Sequence, residues 1–131
     1  MQQLETARGA ARALEPTTGP WLAFDLAEEI EQLLQEPYWQ SGRNSKTIVH
    51  YPDFRAVVTA IQAGTTINEH QTAGRVAVQT LHGQLRMHAG GKEFDLPAGR
   101  ILAIDQAVPY DLHAVEDSAL LLFIAWPGAE G

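Results

Sequence analysis

The side chains able to do chemistry gather between residues 64 and 114, which hold His70, His82, His88, His113, Tyr110, Glu69, Asp105 and Asp111. An imidazole near neutral pH either ligates a metal or moves a proton. A zinc, iron or manganese centre needs about three protein donors, with a position left open for substrate. The chain has no Cys, so thiolate ligands, thiol nucleophiles and disulfides are excluded. Glu69 adjoins His70, but neighbouring residues on a strand face opposite ways, which makes it a poor acid–base partner. His82, His88 and His113 stand apart from one another and read as exposed side chains. The sequence has no phosphate-binding Gly-rich loop, no Ser-His-Asp arrangement and no dinucleotide fingerprint.

The elements that must position these groups are legible from turn signals and periodicity. Pro16, Gly19 and Pro20 break up the start, and residues 1–20 read as a flexible tail or arm. Residues 21–45 form a lead-in. Trp21 to Phe24 is an apolar run expected to add a strand at a sheet edge. Asp25 followed three residues later by Glu28 predicts a helix start. Leu26, Ile30, Leu33 and Leu34 share one helical face, and Pro37 ends the helix. Trp39 to Lys46 reads as a polar surface loop. Its Arg43 and Lys46 make an anion-binding segment the sharper alternative.

Residues 46–131 then run strand after strand. Gly90-Gly91 is a two-residue hairpin signal, and Leu96-Pro97-Ala98-Gly99 turns the chain again. About nine short strands with turns between them predict an antiparallel barrel or sandwich. At 131 residues, 45% of them hydrophobic, the chain suits one domain with one core. A formal net charge of -7 disfavours a nucleic-acid partner, which needs clustered Lys and Arg. No stretch approaches the roughly 20 apolar residues needed to span a bilayer. The opening MQQLETARGAARALEP lacks the apolar core of a signal peptide. No membrane and a cytoplasmic location are therefore expected.

Two spacings are more specific. Gly64, five residues, His70-x-Thr72, three residues, Val76, six residues and Gly83 form the first. Gly99, five residues, Asp105-x-Ala107, two residues, Tyr110, three residues and Ala114 form the second. Together they resemble the two consecutive motifs of the cupin superfamily, Gly-x5-His-x-His-x3–4-Glu-x6-Gly and Gly-x5-Pro-x-Gly-x2-His-x3-Asn. The likeness extends with flanking strands from about Lys46 to Trp126, and less specifically to small single-domain bacterial cupins. It implies a mostly β chain: an antiparallel cupin-type β-barrel (double-stranded β-helix or jelly roll) with one N-terminal α-helix packed outside.

The resemblance also implies a departure in chemistry. Of the family's four usual metal ligands, only the first His is present, as His70. Thr72, Val76 and Tyr110 occupy the other three positions. Carried over by position, Val76, Val78 and Thr80 face the barrel interior from one strand. Tyr110, Leu112 and Ala114 face it from another, while Gln79 and His113 point away. The implied ligand pocket is His70, Thr72, Val76, Val78, Thr80, Tyr110 and Leu112. Met87 reads as core or as a soft wall. No cofactor is expected; if a divalent metal binds, His70 is its ligand, with Gln71, His82 and His113 as unorthodox additions.

Three functions follow from different classes. The favoured one is a non-metal module that binds or senses an unknown small molecule in an apolar barrel pocket. The alternative is an enzyme of dioxygenase, isomerase or lyase type, using an atypical metal centre or a His70/Tyr110 acid–base pair. The third is self-association as a homodimer, for which Trp21, Phe24, Trp39 and the amphipathic helix offer apolar surface.

Overall fold

Asp25 starts the helix that its spacing predicts. In the computed structural model, which describes residues 16–69 and 73–127, the Asp25 carboxylate accepts from the backbone N–H groups of Ala27 (3.1 Å) and Glu28 (3.3 Å). This satisfies two donors that a helix start leaves without intrahelical partners. Helix α1 spans Leu26–Gln35. It ends at the extended residue Glu36, and Pro37 opens a short 3₁₀ helix, Pro37–Ser41. Ile30 and Leu33 are buried, whereas Leu34 stays 43% exposed. Burying Leu33 alone contributes about 2 kcal/mol.

Among the described residues nine strands follow: β1 Arg43–Tyr51, β2 Phe54–Ile61, β3 Thr66–Glu69, β4 Arg75–His82, β5 Gln84–Ala89, β6 Lys92–Pro97, β7 Ile101–Ile104, β8 Tyr110–Ala114 and β9 Ser118–Ala125. They form a five-stranded sheet in the order β1-β2-β9-β4-β7 and a four-stranded sheet in the order β3-β8-β5-β6. Every pairing is antiparallel. Without β1, the two sheets are the four-plus-four arrangement of a jelly roll. Gly90 and Gly91 have φ of 58° and 82°, the left-handed values that the hairpin between β5 and β6 requires. Gly83 is needed for close approach: a Cβ there would meet Ser118 Oγ and lie 2.5 Å from the Asp117 carbonyl.

Strand alternation sorts the side chains into two cores. Between the sheets pack Val76, Val78, Leu85, Met87, Leu112 and Leu120, among others. On the outer face of the five-stranded sheet, Ala56, Val58, Ala60 and Leu121 pack with Ile30 and Leu33 of α1. The helix therefore lies outside the sheet, as the resemblance implies. Polar contacts hold it there. Lys46 Nζ meets Glu29 Oε1 at 2.8 Å, both largely buried. The Asn44 amide donates to the Leu33 carbonyl (3.0 Å) and to Glu36 Oε1 (2.8 Å).

Three local expectations need correction. Trp21 to Phe24 forms no strand. Pro20 can donate no ladder bond, and the lead-in instead meets β1 earlier, through Thr17 and Gly19. The Thr17 carbonyl accepts the His50 N–H at 2.8 Å, and the Gly19 carbonyl accepts the Tyr51 hydroxyl at 2.6 Å. The stretch read as a polar loop is already strand from Arg43 onward. Its alternation separates Arg43 from Lys46, so the two do not form a joint anion site: Lys46 turns to the helix, Arg43 to the other face. The apolar surface expected of the lead-in is also smaller. Phe24 and Trp39 pack into the helix–sheet core, leaving Trp21 at 80% exposure. The reading of a tail falls largely on residues 1–15, outside the described residues.

Candidate functional site

A cavity of about 230 Å³ lies between the two sheets. From β4 and β9 come Val78, Leu120, Leu122 and Ile124; from β3 and β8 come Ile67, Tyr110 and Leu112. Strands β1 and β2 close the remaining side with Arg43, Ser45, Val57 and Thr59. Arg43 and Ser45 are exposed, and Thr59 is buried, so the cavity reaches solvent along the β1 edge. The Ser45 and Thr59 hydroxyls lie opposite one another in the β1–β2 register and hydrogen-bond at 2.8 Å. Alternation explains the lining. Arg43 and Ser45 share one face of β1, opposite Asn44 and Lys46, and Val57 and Thr59 share the matching face of β2.

The candidate residues divide into three groups. Val78, Tyr110 and Leu112 line the cavity together. Val76 and Thr80 face the same interior but are packed beyond the cavity. Val76 is core, opposite Ile104 and Ile124. Thr80 is fully buried, and its hydroxyl donates to the Leu96 carbonyl at 3.0 Å. Its polarity is absorbed in tying β4 to β6. His70 and Thr72 lie outside the described residues. Arg43, Ser45 and Thr59 join the cavity without having been placed there by the motif spacing, since they precede both motifs. The signal available for Arg43 was its place in a locally basic, polar stretch.

The other histidines lie elsewhere. His113 Nδ1 is 2.8 Å from the Thr66 hydroxyl, across the β3–β8 pair. His82 is exposed. His88 is exposed on the outer face of the smaller sheet, with Nδ1 3.0 Å from Asp111 Oδ1 and Nε2 3.4 Å from Glu93 Oε1. The hydrogen bond to Asp111 first, then the charges of Asp111 and Glu93, holds its pKa above the usual 6.5. In the turn after β7, the Gln106 N–H and then the Arg75 guanidinium, 2.8 Å away, hold the Asp105 carboxyl below its usual range. Ala107, at the position of the second motif's second Gly, has φ 68°.

Among the described residues, the donor set does not fit the metal centre that the resemblance implies. The cavity lining contains no imidazole and no carboxylate among the described residues. Val76 puts an apolar side chain at the position where the resemblance implies a carboxylate ligand. The described residues contain no group of three or more His, Asp or Glu side chains placed to hold a metal ion. What the cavity offers is an apolar wall, a hydroxyl pair, a phenol and a guanidinium. Such a surface can enclose an apolar body and pair with polar groups at one end. No helix among the described residues is long and apolar enough to cross a membrane.

No family model matches the sequence, and no curated protein matches it. Solved structures do match. A conserved protein of unknown function from Streptococcus pyogenes superposes with a TM-score of 0.71 at 24% identity, covering 87% of this chain and 95% of that one. A mutant of salicylate 1,2-dioxygenase from Pseudoaminobacter salicylatoxidans superposes with a TM-score of 0.73 at 17% identity, over 84% of this chain but only 36% of the dioxygenase. An RmlC-like cupin from Shewanella frigidimarina gives a TM-score of 0.63 at 13% identity, over 68% of this chain and 80% of the other. With its jelly-roll strand order, its two motif spacings and these neighbours, the chain has the cupin superfamily fold.

Proposed function

We propose that this protein is a metal-free cupin that binds a small molecule in the cavity between its sheets, as a binding or sensing module. The observation that carries the reading is the cavity itself: about 230 Å³ of space walled by Val78, Leu112, Leu120, Leu122 and Ile124. Packed interiors hold few voids larger than a water molecule, so a cleft of this volume between the sheets supports a ligand role. The absence of a carboxylate at Val76 and of an imidazole at Tyr110 supports a role without metal. Enzymatic and uncharacterised neighbours share the fold, so the fold alone does not choose a reaction. Self-association as a homodimer belongs to the same reading.

Metal analysis and ligand screening on the full chain test it together. Protein dialysed against iron, zinc, manganese and nickel is expected to retain well under one metal per chain. A screen of small molecules is expected to yield compounds that raise Tm. A site-specific ligand at a hundred times its Kd stabilises by about 2.7 kcal/mol. About one metal per chain, lost in His70→Ala, would overturn the reading in favour of the atypical-centre enzyme. Failure of a broad screen to move Tm would count against a ligand role.

A further inference from the structure

We propose that the cavity selects a monocarboxylate, with Arg43 pairing the carboxylate at the mouth and a compact apolar body filling the interior. This inference rests on the reading of the cavity as a ligand site. Its first support is the state of Arg43. Among the described residues, the other cations have partners. Lys46 meets Glu29, Arg75 meets Asp105, and Arg86 meets Glu93 and Asp95. Arg55 stacks on Trp126, Lys92 lies over Phe94, and Arg100 donates to the Asp95 carbonyl. Arg43 has no ion pair, side-chain hydrogen bond or ring contact with them. It is also the only charged group lining the cavity among those residues.

Position and charge give the second support. Arg43 and Ser45 stand at the solvent-reaching edge, and the apolar wall lies behind them. A guanidinium presents a planar fork of donors that matches a carboxylate in two parallel bonds. The chain as a whole carries a net charge of -7, so a bound anion needs a local cation to offset the general repulsion. One guanidinium compensates one carboxylate. A second carboxylate would be forced against Leu120, Leu122 and Ile124, where an uncompensated charge is costly. The size is equally restrictive. An apolar cavity of about 150 Å³ holds benzene, so 230 Å³ admits a single ring or branched chain of similar bulk with its carboxylate at the rim.

Titration calorimetry with two probes of one shape tests this: benzoate, and benzamide as its neutral counterpart. Wild-type protein is expected to bind benzoate roughly tenfold more tightly than benzamide, the order of a charge-assisted pair over a neutral one. Arg43→Gln should weaken benzoate far more than benzamide and bring the two to within about twofold of each other. Arg43→Lys should recover part of the preference. Leu122→Trp, which fills the cavity, should abolish binding of both probes. Equal affinity of the two probes for wild-type protein would overturn carboxylate selection and leave the cavity reading standing. Binding of neither probe up to about 10 mM would remove the support for both. A preference that survives Arg43→Gln, or benzoate binding that survives Leu122→Trp, would place the anion elsewhere and overturn the proposal. Arg43 is exposed, and its substitution leaves both cores intact.

Discussion

Thr80→Val removes one hydroxyl from the interior while keeping the shape of the side chain. Thr80 is fully buried, and its Oγ1 donates to the Leu96 carbonyl at 3.0 Å. Losing that donor costs about 1–3 kcal/mol for a buried acceptor. The extra methyl offsets about 0.8 kcal/mol of this. The net loss is about 1 kcal/mol, with 2 as the upper end. At about 2.1 cal/mol/K per residue over 131 residues, that is a fall in Tm of about 4 °C and no more than about 7 °C. Differential scanning calorimetry at fixed protein concentration measures it, and benzoate titration on the same samples measures the cavity. The Thr80 hydroxyl lies outside the cavity lining, so affinity should stay within about twofold. An unchanged Tm with lost affinity would refute the assignment and return Thr80 to the ligand site that the motif spacing implies for it.

Three further substitutions probe the turn and the charged face. Ala107→Gly should raise Tm by about 2–4 °C: the left-handed φ of 68° costs an L-residue about 1–2 kcal/mol, less the entropy that Gly loses on folding. A fall in Tm would show that Ala107 is not strained. His88 has a raised pKa in the folded state, so its contribution is full below the unfolded value near 6.5 and fades as pH rises through the folded value. The Tm difference between wild type and His88→Gln should therefore be larger at pH 6 than at pH 9, and Asp111→Asn should lower the His88 pKa in an NMR titration. An equal difference at both pH values would refute the link between protonation and stability.

Local patterns in the sequence determined most of the architecture. Asp25 before Glu28 capped the helix and Gly90-Gly91 turned the hairpin, while the family resemblance implied the inward faces of Val76, Val78, Thr80, Tyr110 and Leu112. These features depend on φ preferences and on the two-residue period of a strand, both properties of neighbouring residues. Only the tertiary structure decided which inward residues meet empty space and which meet other side chains. Val76 and Thr80 share parity with Val78, yet only Val78 lines the cavity, and the Thr80 hydroxyl bonds the Leu96 carbonyl. The Trp21–Phe24 run looked like a strand, but strand identity requires a partner edge, and that edge is met by Thr17 and Gly19 instead. Arg43 and Lys46 looked alike in a basic stretch until β1 formed. The strand's alternation turned Lys46 to Glu29 on the helix and Arg43 to the cavity mouth. Cavity shape depends on how side chains from both sheets meet across the interior, and no local pattern encodes the volume they leave unfilled.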